Sequence, residues 1–158
     1  MNMNMNKKYK DVLFTLQNAG FSKTPQRIAV LTLLFEATTP LSVRDISQTL
    51  AAKARIDRVT IYRILSLFKQ HGIAREIASP GGTNYFEMAS LENPVHPHFN
   101  CRNCGELSCM EPLTFSQARQ LISGKDDYSI DHIEINISGL CAVCRNATKL
   151  QKQQHKQV

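Results

Sequence analysis

The chain has 158 residues and a net charge of +6, enough for one ordinary domain or two small ones, with a bias towards a polyanionic partner. No apolar run is long enough to span a membrane, which excludes an integral membrane helix, and Met1–Asn6 lacks the apolar core of a signal peptide. A cytoplasmic protein is therefore expected, and in that reducing compartment its five cysteines point to metal ligation rather than to disulfides.

Residues 1–6 are low in complexity and are expected to be disordered. From Lys8 to about Asn18, the apolar Tyr9, Val12, Leu13 and Leu16 recur at helical spacing, and Gly20 stops that helix. Thr24-Pro25 reads as an N-cap followed by proline at the first helical position, with Ile28, Val30, Leu31, Leu34 and Phe35 on the buried face. Ser42-x-x-Asp45 is close to a capping box and opens a helix that turns Ile46 and Leu50 inward. Asp57 caps a further helix to about His71, with Ile61, Ile64, Leu65 and Phe68 as its apolar stripe; Gly72 ends it and His71 suits its C-terminus. Ile73–Ala78 and Asn84–Met88 read as two strands joined by the turn Ser79-Pro80-Gly81-Gly82-Thr83. Helices followed by a hairpin describe a winged helix.

Beyond a linker at Ser90–Pro94 the character changes. His98–Cys101 and Glu106–Met110 are candidate strands. Thr114–Ser123 is helical, with Phe115, Ala118, Leu121 and Ile122 on one side. In Ile130–Ile137 the alternation of Ile133, Ile135 and Ile137 describes a half-buried strand. The expected class is α+β, divided into a winged-helix domain (1–89), a hinge linker (90–94), a small second domain (95–148) and a basic tail (149–158).

The helix after Asp57 must bury one face and can offer donors on the other. Arg58 and Arg63 can reach guanine edges or phosphates, Tyr62 a thymine methyl or a phosphate, and Thr60 a phosphate, with Arg44 and Lys23 adding backbone contacts. The pattern alone leaves open a solvated basic face, and for Tyr62 a core-capping ring.

Cys101-x-x-Cys104 and Cys141-x-x-Cys144 offer two sulfurs each to one tetrahedral metal, a closed structural zinc site. A thiol-redox enzyme is the competing use of a Cys-x-x-Cys pair and would need one pair exposed and metal-free. The zinc deaminase pattern is absent, and no Ser/His/Asp or phosphate-cradling motif stands out. His96-Pro97-His98 and Cys109 flank the first pair and can build a second metal site.

Thr24-Pro25-Gln26-Arg27, Val59-Thr60-Ile61-Tyr62-Arg63, Gly72-Ile73, Tyr85-Phe86-Glu87, His96-x-His98-x-x-Cys101-x-x-Cys104-Gly105 and Gly139-Leu140-Cys141-x-x-Cys144 together resemble the ferric uptake regulator family. The likeness runs from about Phe21 to Cys144. It implies an N-terminal winged helix, a C-terminal α/β dimerisation domain, and a homodimer on an inverted-repeat DNA operator. It also favours DNA contact for the Arg58–Arg63 helix.

The resemblance further implies a regulatory metal held by Glu87, His96, His98 and Cys109. Family members that sense iron or peroxide carry a carboxylate where Cys109 stands and a histidine before Ser42, where this chain has Thr39-Pro40-Leu41. One carboxylate, two imidazoles and one thiolate favour tetrahedral Zn²⁺. The expectation is a repressor of zinc-acquisition genes, most like the family's zinc uptake regulator branch, with one structural and one regulatory zinc per chain. Iron, manganese or peroxide sensing is the rival within the family. Glu111, two residues beyond Cys109, is an additional or replacement ligand, and His132 a possible ligand more in keeping with a structural role.

Overall fold

The computed structural model describes residues 3–52, 55–79, 81–90, 92–123, 127–129 and 134–147, excluding the side chains of 3–6, 115 and 118. Two compact units divide the chain, Met1–Asn93 and Pro94–Val158.

In the first unit, α1 (Met3–Asn18) begins inside the segment expected to be disordered. The i, i+4 pair Val12 and Leu16, both fully buried, anchors this helix, while Tyr9 is half exposed. Helix α2 (Pro25–Glu36) starts where Thr24 Oγ1 accepts the Arg27 N–H, with proline in the first turn, and buries Val30, Leu31 and Leu34. Strand β1 (Leu41–Ser42) leads directly into α3 (Val43–Leu50), which opens on a full Ser42–Asp45 capping box. Asp57 caps α4 (Arg58–Gln70), and Gly72, at φ +66°, turns the chain out of it. His71 closes α4 with its Nδ1 3.0 Å from Leu67 O.

Strands β2 (Ala74–Ala78) and β3 (Asn84–Met88) form the antiparallel wing, and β1 adds to it in the order β1-β3-β2. The short β1 was not expected, because two residues carry no periodicity. It is defined by the pairs Leu41↔Phe86 and Ser42↔Tyr85. Ala74, Phe86 and Met88 face the core of α1–α4, where Ile61, Leu65 and Phe68 of α4 are fully buried. Each such side chain contributes about 1.5–3 kcal/mol of burial. Arg75, Ile77, Tyr85 and Glu87 occupy the opposite face of the wing, since side chains alternate along a strand.

Within the expected linker, Ser90 and Asn93 form an isolated antiparallel bridge. The Asn93 N–H donates to Ser90 O and Oγ, at 3.1 and 3.2 Å.

In the second unit, β4 (His98–Cys101) is central. It pairs antiparallel with β5 (Leu107–Cys109) and parallel with β6 (Asn136–Gly139). Helix α5 (Phe115–Leu121) lies between β5 and β6 in sequence and opens on a Thr114–Gln117 capping box.

Three expectations change here. Of the strand expected over 130–137, β6 covers 136–137 and runs on to 139, residues 134 and 135 are not in a strand, and residues 130–133 lie outside those described. The strand is not half buried: β6 is a sheet edge and Ile137 is 40% exposed. Leu121 of α5 is also exposed. A helical stretch over 142–147 follows Cys141, and the basic tail from Lys149 lies outside the described residues. No helix among the described residues is long and apolar enough to cross a membrane.

Candidate metal centres and nucleic-acid interface

The four paired cysteines converge in the second unit. Cys101 ends β4, the tight turn over 102–105 brings Cys104 back, and the parallel pair Cys101↔Gly139 delivers Cys141 and Cys144 beside them. Their sulfurs all lie within 4.8 Å of one another, with Cys104 and Cys141 Sγ 3.8 Å apart. A disulfide would require about 2.05 Å. Tetrahedral coordination at about 2.3 Å per Zn–S bond instead gives sulfur–sulfur edges close to the observed separation, so the residues fit zinc.

Neighbouring dipoles favour thiolate at Cys101. The Cys141 N–H donates to Cys101 Sγ at 3.3 Å, and with the Cys104 N–H it pulls the Cys101 thiol down to about 6. Asn103 Nδ2 donates to Cys144 Sγ at 3.2 Å, but burial and the adjacent Cys141 and Cys101 outweigh that bond and raise the Cys144 thiol. None of the five cysteines is in a disulfide.

A second grouping forms on the same sheet. His98 and Cys109 face each other across β4 and β5, and His96 stands two residues before β4 with its ring centroid 4.6 Å from that of His98. One ligand atom from each of these three lies within 4.8 Å of the others; both histidines are buried and Cys109 is exposed. His96 Nδ1 lies 2.8 Å from Pro94 O, which can only accept. That contact places the ring proton on Nδ1 and the lone pair on Nε2, the tautomer a metal requires. Two imidazoles and a thiolate at this spacing fit a borderline-soft divalent ion.

Glu87 belongs to the first unit. It sits on β3, 6% exposed, with its carboxylate held by Arg75. Glu111 lies beyond β5, is exposed and joins neither grouping among the described residues. His132 lies outside the described residues.

On the first unit, a groove of about 680 Å³ is lined by the start of α3, by α4 and by the wing. Arg44, Arg58 and Tyr62 line one side, and Gly82, Thr83, Asn84 and Tyr85 the other. Tyr62 is 52% exposed, which removes the core-capping alternative. Arg63 is exposed on the same helix. Thr60 Oγ1 donates to Asp57 Oδ2 at 2.7 Å, so its hydroxyl serves the cap. Lys23 is exposed and donates to Gln17 Oε1 at 2.9 Å, away from the groove lining.

Arg27 and Arg75, to which the sequence assigns no site role, are both engaged in the structure. Arg27 lies over the Phe21 ring at 5.2 Å and donates to Ser22 O, bracing the turn into α2. Arg75 faces Glu87 across β2 and β3, a pairing visible only once the register is known.

The ferric uptake regulator family model matches residues 18–138. Over 138 residues the chain is 29% identical to the peroxide-responsive repressor PerR of Staphylococcus saprophyticus, covering 87% of this chain and 91% of that protein. The structure is similar to the Vibrio cholerae ferric uptake regulator Fur, with a TM-score of 0.66 and 25% identity over 80% of this chain and 97% of that one. A zinc uptake regulator complexed with zinc and DNA shares the fold, with a TM-score of 0.63 and 19% identity over 94% of this chain and 99% of that one. The chain belongs to the ferric uptake regulator family, whose members are metal-responsive, dimeric, DNA-binding transcription regulators and not enzymes.

Proposed function

We propose that this chain is a zinc-sensing repressor of zinc-acquisition genes, acting in the cytoplasm as a homodimer on an inverted-repeat operator. The observation that carries the reading is the His96, His98 and Cys109 grouping, a thiolate beside two imidazoles. Glu87 is the proposed fourth ligand. The absence of a histidine in Thr39-Pro40-Leu41 also argues against a five- or six-coordinate iron or manganese site. Cys101, Cys104, Cys141 and Cys144 hold a structural zinc. Arg58, Tyr62 and Arg63, with Arg44, contact the operator and Lys23 adds a phosphate contact, while Thr60, with its N–H and hydroxyl both given to Asp57, holds the start of α4.

When bound, the regulatory ion supplies a divalent centre that links ligands from separate parts of the chain. Pro94 fixes the His96 tautomer, the β4–β5 ladder fixes His98 against Cys109, and Arg75 keeps Glu87 oriented. An ion held by Glu87 together with the second-unit ligands would restrain the winged helices about the Ser90–Pro94 linker. A preference for the DNA-competent arrangement of about 1–3 kcal/mol per site is enough to regulate.

A second reading is peroxide or iron sensing, favoured by the names of relatives such as the peroxide operon regulator of Bacillus subtilis, 26% identical over 136 residues. The deciding experiment is anaerobic binding to an inverted-repeat duplex, selected from a random library with metal-loaded protein, at buffered free Zn²⁺, Fe²⁺ and Mn²⁺. Activation by trace zinc that is lost in Cys109→Ser is the expected result. Activation by iron, followed by loss on peroxide treatment, would transfer the assignment to the second reading.

A further inference from the structure

We infer that Arg75 is a positioning residue that couples the regulatory ligand Glu87 to the segment joining the two units; this rests on the zinc-sensor reading above. Arg75 and Glu87 stand opposite each other on β2 and β3, on the wing face turned away from the core. Their side chains are 17% and 7% exposed. Arg75 Nε and Nη2 each lie 3.0 Å from Glu87 Oε1, so the guanidinium grips one carboxylate oxygen and sets its orientation. The same Nη2 donates to Asn93 O at 2.6 Å and to Met88 O at 3.3 Å. Asn93 Nδ2 returns to Met88 O at 2.7 Å. One partly buried guanidinium therefore ties the ligand, the end of β3 and the last residue of the first unit into a single network.

The chemistry requires this residue type. A carboxylate with so little water around it needs a fixed donor and a counter-charge, and Arg75 supplies both at Glu87 Oε1. The planar, fixed fork of arginine also makes the Glu87 and Asn93 contacts interdependent, so a shift of the carboxylate is felt at the Asn93 carbonyl. A lysine would supply the charge through a single, rotatable ammonium and would not hold both groups in one plane. A purely structural ion pair needs only the charge, which makes the two roles separable.

The test uses the full chain with its structural zinc retained, comparing wild type, Arg75→Lys and Arg75→Met. Regulatory zinc affinity is read by competition with a chromophoric zinc chelator. Operator affinity is read by fluorescence anisotropy on the selected duplex, with and without zinc. Arg75→Met is expected to lower zinc affinity by about 10- to 100-fold, as for other residues that orient a ligand. Arg75→Lys is expected to keep most of the zinc affinity but to lose the zinc-induced rise in operator affinity, on the order of 5- to 150-fold for coupled sites.

Full coupling in Arg75→Lys, or unchanged zinc affinity in Arg75→Met, would overturn the inference. If Arg75→Met does not fold, Arg75→Lys alone decides. A wild-type protein with no zinc response sinks both this inference and the zinc-sensor reading. A responsive wild type that loses its response in Cys109→Ser, with unaffected Arg75 variants, sinks the inference alone.

Discussion

Asp57 shows how one side chain can set up the DNA-facing helix. Its carboxylate accepts the Thr60 N–H at 2.9 Å and the Thr60 hydroxyl at 2.7 Å, closing the first turn of α4. The Thr60 hydroxyl bond, followed by the Thr60 N–H, holds the Asp57 carboxyl below its ordinary value of 3.8. A depressed folded-state pKa stabilises the fold above the unfolded value and loses that contribution as pH falls through the folded one. Asp57→Ala is therefore expected to melt at a lower temperature than wild type at pH 7, with the gap closing below pH 3.8. Thermal melts followed by circular dichroism at pH 7 and pH 3 check this; an equal gap at both would remove the carboxylate from the account.

Between elements, close approach matters as much as hydrogen bonding. In the parallel β4–β6 pair, Phe99 lies beside Ile137, and its ring covers the next site on that face of β6, Gly139. A Cβ at Gly139 would meet Phe99 Cε2 at 2.9 Å, so the ring must shift to admit any side chain there. Gly139 thus serves through its missing side chain, just before Cys141 enters the four-cysteine site. Gly139→Ala is expected to destabilise the second unit by about 1–3 kcal/mol, the usual cost of overpacking. Urea unfolding of the zinc-loaded protein, monitored by amide resonances of β4, measures that loss. No shift in midpoint would mean that the ring moves aside freely.

On the scale of the whole molecule, the two units differ in what holds them together. The first has a continuous core from Val12 through α2, α3 and α4 to Met88. In the second, among the described residues, the buried apolar side chains are those of Pro97, Cys101 and Cys144, while His96, His98 and Asn100 are buried polar groups. Small units with so little apolar core depend on staples, and four thiolates stay together only when their charge is neutralised. Exhaustive zinc chelation under reducing conditions is expected to collapse amide dispersion for residues 94–147 while the α1–α4 core keeps its own cooperative melt. Unchanged dispersion in the second unit after metal removal would show that its fold does not need zinc.

What the sequence determined by itself was local chemistry. Thr24, Ser42 and Asp57 capped the helices expected of them, Gly72 ended α4, and the two Cys-x-x-Cys pairs announced a four-thiolate grouping. Such signals act over a few residues, so they need no knowledge of the rest of the chain. What only the tertiary structure decided was pairing across distance. The two-residue β1 exists because β3 lies beside it, and β6 pairs over Asn136–Gly139 with the four residues of β4. His98 faces Cys109 because of the β4–β5 register, and Arg75 faces Glu87 because of the β2–β3 register. A slip of one residue would send each of those side chains to the opposite face, and no local pattern encodes that choice.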